Sequence, residues 1–114
     1  MQHSRKRKFG RVANQRRALA KSMASSFFMR GRITTTEAKA KELRPYVEKF
    51  VTRAKLPSVA NRRFFARFFS PGVVAHIIAN AEHMKKRTGG YTRIIKTGVR
   101  KSDSARMAIL EFVK

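Results

Sequence analysis

Three histidines, a scatter of serines and one Gly-Gly pair are the residues of this chain whose types suggest reaction chemistry, and none is spaced to perform it. His3, His76 and His83 do not have the spacing of a metal-ligand pair, and the six carboxylates are too dispersed to complete a site. His76 interrupts an apolar helical pattern, which marks it as a partly buried or boundary residue rather than a ligand. No serine stands in a G-x-S-x-G turn. Gly89-Gly90 lacks the further glycines and the Lys-Ser/Thr pair of a phosphate loop. The absence of cysteine excludes disulfides and thiolate metal sites. The expectation is a protein that is not an enzyme, with no catalytic residue, metal or cofactor.

The chemistry that remains is neutralisation of anions. Lys and Arg number 28 against 6 Asp and Glu, a formal charge of +22 on 114 residues. A chain so self-repulsive gains from a polyanion around it. Nucleic acid is the commonest such partner, and an anionic membrane surface is the second. Zinc-finger, RRM and KH signatures are all missing, so a dedicated single-groove reader is unsupported. Charge spread over several segments suits a scaffold that meets RNA at many points by shape, releasing counterions at each phosphate.

The candidate RNA-binding residues fall in groups. Arg5, Lys6, Arg7, Lys8 and Arg11 lie in a polar stretch, residues 1–11, read as an extended basic arm ahead of one α/β domain over residues 12–114. No acidic residue occurs before Glu37, so this positive charge is undiluted. Arg16, Arg17 and Lys21 fall off the apolar stripe of the first helix, and Arg30 and Arg32 flank Gly31. Lys39, Lys41 and Arg44 follow, then Arg62 and Arg63, and finally Arg100 and Lys101, in a basic loop that also holds Arg106.

These residues need elements to position them. From about Val12 to Met29 the spacing is helical, with Leu19, Met23 and Phe27 recurring every four residues, and Gly31 stops the helix. Residues 32–35 favour a short strand. Thr34 with Glu37 has capping-box spacing, with Thr36 as the alternative cap of the next helix. That helix, residues 37–55, has Leu43, Val47, Phe50, Val51 and Ala54 on one face, and Pro45 inside it predicts a kink. Pro57 and Ser58 punctuate. Asn61 to Phe69 reads as a short helix. Its phenylalanines, 64, 65, 68 and 69, are read as core in preference to a base-stacking platform. Ser70-Pro71 opens a further helix that carries Val73, Val74, Ile77, Ile78 and Ala81 and fades at Lys85-Lys86-Arg87. Residues 91–97 and Met107 to Val113 read as two strands that pair antiparallel, the second with Ala108, Leu110 and Phe112 on one face.

Certain strings go further. Ile33-Thr34-Thr35-Thr36-Glu37-Ala38-Lys39-Ala40-Lys41-Glu42-Leu43-Arg44 resembles a stretch of the seventeenth large-subunit protein of bacterial ribosomes. So do Lys8-Phe9-Gly10-Arg11, Met23-Ala24-Ser25-Ser26, Gly89-Gly90-Tyr91-Thr92-Arg93-Ile94 and Ala105-Arg106-Met107-Ala108, in that family's order. The resemblance spans residues 8–113. It implies an α+β fold: a two-layer α/β arrangement with an N-terminal helix, a short strand, about three further helices and a C-terminal antiparallel hairpin.

The resemblance also implies a structural role in the large ribosomal subunit, bound to its ribosomal RNA near the polypeptide exit, among neighbouring ribosomal proteins. By matching positions it carries over Lys8, Arg11, Arg17, Arg32, Lys39, Lys41, Arg44, Tyr91, Arg93 and Lys96 as RNA contacts. The sequence departs from the family where Arg30 stands for a frequent His, where Ser102-Asp103 replaces Gly-Asp, and between Phe64 and Val74. The N-terminus lacks the apolar stretch of a signal peptide, so the expected location is cytoplasmic and ribosome-bound, with an organellar ribosome as the alternative. No membrane contact and no homo-oligomer are expected. Two other classes fit the charge alone: a DNA-packing protein, which would bind duplex DNA as tightly as ribosomal RNA, and a basic membrane-surface domain, supported only by the Phe-rich segment.

Overall fold

The computed structural model describes residues 13–56 and 58–113. The basic residues of the arm therefore lie outside the described part, as do Pro57 and the last residue. Helix α1 (Ala13–Arg30) leads into strand β1 (Arg32–Thr36) and helix α2 (Glu37–Ala54). Helices α3 (Val59–Ala66) and α4 (Pro71–His83) follow, then strands β2 (Thr92–Val99) and β3 (Arg106–Phe112). This is the expected α+β order, with four helices and a C-terminal strand pair.

Gly31 ends α1 through its backbone. Its φ is +81°, and its N–H donates to the Phe27 carbonyl at 2.7 Å, the bond that closes a helix with a left-handed residue. The chain can then turn directly into β1. There the reading of Thr34 as a helix cap is corrected. Thr34 is a strand residue paired with Ile109, and β1 continues to Thr36, opposite Met107. Thr36 is the cap, its hydroxyl accepting from the Lys39 N–H at 3.3 Å. Helix α2 runs unbroken past Pro45.

The three strands form an antiparallel sheet in the order β1-β3-β2, so the last strand is the central one. A bulge between Lys96 and Gly98 shifts the β2 register, and Gly98 takes φ +111° there. Arg106, expected in the loop, is the first residue of β3.

Helix α2 lies between the sheet and the other helices and touches every other element. Its buried Leu43, Val47, Phe50 and Val51 meet Ala108 and Leu110 of β3, Phe27 and Phe28 of α1, and Val73 and Ile77 of α4 in one core. Phenylalanine edges link the layers. Phe112 lies 4.6 Å from Phe27, Phe28 lies 5.8 Å from Phe69, and Phe69 lies 5.0 Å from Phe50, all between ring centroids. Each such side chain contributes roughly 1.5–3 kcal/mol by leaving water.

The Phe-rich segment is core, as read. Phe65 and Phe69 are buried, and Phe64 and Phe68 pack against the cluster. Its helix starts two residues earlier than Asn61 and ends at Ala66, with Ser58 as the cap. Phe68 and Phe69 thus sit in the turn that follows. His76 is exposed, which corrects the boundary reading: Val73, Ile77 and Ala81 take the buried stripe of α4, and His76 falls outside it. Among the described residues no helix is long and apolar enough to cross a membrane.

Candidate nucleic-acid interface

The six carboxylates decide which cations are available. Each already has a basic partner. Glu42 meets Arg16 at 3.8 Å, Glu48 meets Arg44 at 3.6 Å, and Glu82 meets Lys85 at 3.3 Å. Glu37 lies 3.3 Å from Lys41 and 3.4 Å from Lys96. The hydrogen bond from Lys41 is the main cause of a lowered Glu37 pKa, with Lys96 adding to it against a partial desolvation. Asp103 pairs with Arg100 at 2.8 Å, and Glu111 is shared by Arg32 and Arg93.

Among the described residues, Arg17, Lys21, Arg30, Lys39, Arg62, Arg63 and Lys101 have no carboxylate within 4 Å. Most of them are exposed; Lys21 and Lys39 are half-buried. Positive charge left uncompensated at the surface attracts anions over about a Debye length, roughly 8–10 Å in physiological salt.

Packing of α1 on α2 gathers part of this charge. An open groove between the two helices has Leu19, Ala20, Met23, Leu43, Pro45 and Tyr46 on its apolar floor. Arg16 and Arg17 of α1 and Lys39, Lys41 and Glu42 of α2 also line it, and of these cations Arg17 and Lys39 are the two without a carboxylate partner among the described residues. These residues are more than twenty positions apart in sequence, and the β1 connection folds α2 back along α1 to bring them together. Arg30 and Arg32 flank the Gly31 turn at the end of α1. Arg62 and Arg63 stand on α3, and Lys101 lies in the β2–β3 turn, so these belong to other surfaces.

A second gathering lies across the sheet. Arg32, Glu111 and Arg93 are in register on β1, β3 and β2, an Arg-Glu-Arg row. The Arg93 side chain is 55 % exposed and that of Arg32 61 %, while Glu111 is only 14 % exposed. The alternation of β3 put Glu111 opposite Leu110. That this glutamate joins two distant arginines required the β1–β3 pairing.

Two arginines of the proposed set also do structural work. Arg44 donates to the Thr92 carbonyl at 3.1 Å. Its neighbour Glu48 accepts from the Thr92 N–H and hydroxyl at 3.1 and 2.8 Å, satisfying a buried threonine. Arg100 and Asp103 hold the final turn, in which Ser104 takes φ 60°.

Tyr91 is a correction. The resemblance implied an RNA contact for it, but only 1 % of the residue is exposed. Its hydroxyl accepts from Thr52 Oγ1 at 3.1 Å and from Lys55 Nζ at 3.1 Å, tying the start of β2 to the end of α2. Burial acts to raise its pKa, but these two hydrogen bonds and the Lys55 charge outweigh that and lower it. A string match carries a residue type to a position, whereas burial depends on the packing around it.

Comparison with known proteins identifies the family. Residues 19–113 match the family described as ribosomal protein L17. The chain is 50 % identical to the large ribosomal subunit protein bL17 of Sphingopyxis alaskensis, over 94 % of this chain and 78 % of that protein. It is 45 % identical to the bL17 of Campylobacter jejuni, over 94 % of this chain and 93 % of the relative. With the bL17 of Fusobacterium nucleatum the identity is 47 %, over 99 % and 100 %.

Proposed function

The chain belongs to the ribosomal protein L17 family, and from that premise we propose that it binds and stabilises large-subunit ribosomal RNA near the polypeptide exit region. Its role is that of a structural protein of the large ribosomal subunit, and it is not an enzyme. It sits among neighbouring large-subunit proteins, ribosome-bound in the cytoplasm.

One observation supports the RNA part of this reading. All six carboxylates are spent on internal ion pairs, so the remaining cations have no partner of opposite charge among the described side chains. RNA phosphates supply what the chain lacks. Arg17 and Lys39 at the α1–α2 groove, Arg30 beyond it and the basic residues 5–11 would share the backbone contacts, which position a protein without reading sequence, while Arg16, Lys41 and Arg32 keep their carboxylate partners. Arg62, Arg63 and Lys101 would reach further RNA segments.

The test is sedimentation of tagged protein at native expression level. It should travel with large subunits and protect defined ribosomal RNA segments from cleavage. Protein that runs free of ribosomes, or that holds duplex DNA as tightly as ribosomal RNA at matched salt, would sink the reading.

A further inference from the structure

We infer that Lys49, Arg53 and Arg67 form a further phosphate-binding surface for ribosomal RNA, on the aromatic patch where α2 meets α3. None of the three has a carboxylate within 4 Å among the described residues, and all are exposed. They are nevertheless held in place. Lys49 Nζ lies 5.4 Å from the ring centre of Tyr46 and 5.6 Å from that of Phe50. The Arg53 guanidinium lies 3.7 Å from the ring centre of Phe64, and that of Arg67 lies 5.5 Å from the same ring. The rings adjoin, with Phe50 5.2 Å from Tyr46 and 5.7 Å from Phe64.

Arg53 is fixed most firmly. Its Nε–H donates to Asn61 Oδ1 at 2.8 Å, and the Asn61 amide returns a bond to the Arg53 carbonyl at 3.0 Å. A planar guanidinium stacked on an aromatic ring and locked at Nε keeps its two terminal nitrogens for a ligand. That fork matches the two oxygens of a phosphate and loses little entropy on binding. The geometry also sets the scale. Lys49 and Arg53 stand one turn apart on α2, about 6 Å along the axis, while a nucleic-acid strand carries a charge every 3.4 Å or so. Tyr46 belongs both to this patch and to the floor of the α1–α2 groove, so a backbone lying in the groove can run on across the patch. Gathering three like charges on one apolar surface is unfavourable without an anion, and a polyphosphate neutralises all three together.

The inference rests on the ribosomal RNA reading, and the experiment separates the two. Full-chain protein is titrated with large-subunit ribosomal RNA over a range of salt concentrations. The K49Q/R53Q/R67Q variant should lower the slope of log affinity against log salt by about 2–3, at about 0.7–0.9 per phosphate contact. R53K, which keeps the charge but not the planar fork, should weaken binding and leave the slope unchanged. If the triple variant loses its fold by circular dichroism, K49Q/R67Q takes its place, since neither side chain makes a polar contact within the described residues, and a fall of about 1.4–1.8 is expected. A folded variant with the wild-type slope overturns the inference alone. Wild-type protein that does not prefer ribosomal RNA overturns both readings.

Discussion

Arg93 and Glu111 face each other in register across β2 and β3, with Arg93 Nη2 2.6 Å and Nε 2.7 Å from the same Glu111 oxygen. The pair is sheltered on the glutamate side and open on the arginine side. Glu111 therefore restrains two arginines that would otherwise present full charge, since Arg32 reaches it from β1 at 3.9 Å. The E111Q variant should lose modest stability, about 1 kcal/mol or less, as expected for partly exposed pairs. It should also bind ribosomal RNA more tightly at low salt, because Arg32 and Arg93 are released. Denaturant titration and salt-dependent binding on the same preparation check both signs. Weaker binding would mean that the carboxylate orients the arginines for RNA rather than competing for them.

Tyr91 separates a core role from a binding role. Replacing it with Phe keeps the buried ring and removes only the acceptor used by Thr52 and Lys55. The cost should be about 1–3 kcal/mol, the net worth of two intramolecular hydrogen bonds at roughly 0.5–1.5 kcal/mol each, with RNA affinity unchanged. Chemical denaturation and an RNA titration give the two readouts. A large loss of affinity at unchanged stability would restore Tyr91 to the interface.

Local signals in the chain were readable and distant pairings were not. The four-residue recurrence of Leu19, Met23 and Phe27 and the alternation of Ala108, Leu110 and Phe112 each mark an inward-leaning face, and the elements form where those patterns lie, with Phe27, Ala108 and Leu110 buried and Leu19, Met23 and Phe112 half-buried. The insertion of β3 between β1 and β2 depends on contacts more than seventy residues apart, which leave no periodic trace. The cap at Thr36 follows from the same pairing, because Met107 holds Thr36 as the last strand residue. The interface divides in the same way. Excess charge and its segments were legible, but which cations remain unpaired depends on where the six carboxylates fold. The signal for Lys49, a cation three residues after Tyr46 on α2, also describes an ordinary solvated helix face, and the ring under Arg53, Phe64, lies on α3 and is reached only by packing.

Asp103 offers a pH test confined to the β2–β3 turn. Hydrogen bonds from Arg100 and from the Ala105 N–H lower its pKa to about 2 from 3.8, against slight desolvation. A folded-state pKa below the unfolded value stabilises the turn above about pH 4, and that contribution is lost as the pH falls through 2. Carboxyl chemical shifts followed by NMR should give a midpoint near 2 for Asp103. A midpoint near 4 would mean that the Arg100 fork is not held in solution. The D103N variant should remove this part of the acid sensitivity.

Residues 1–11 give the sharpest test of how binding is divided. They carry Arg5, Lys6, Arg7, Lys8 and Arg11 and no carboxylate. Within the described residues the buried core begins only at Ala24. Deleting residues 1–11 should therefore leave the circular dichroism spectrum and the unfolding midpoint close to those of the full chain. Affinity for ribosomal RNA should fall, and the salt slope should flatten by about 0.7–0.9 for each phosphate contact removed. Fold and binding respond separately because one depends on apolar area and the other on released counterions. An unchanged slope would leave the whole contact to the groove, the sheet row and the α2–α3 patch. A fall larger than five contacts allow would show that the arm also orders cations elsewhere on the surface.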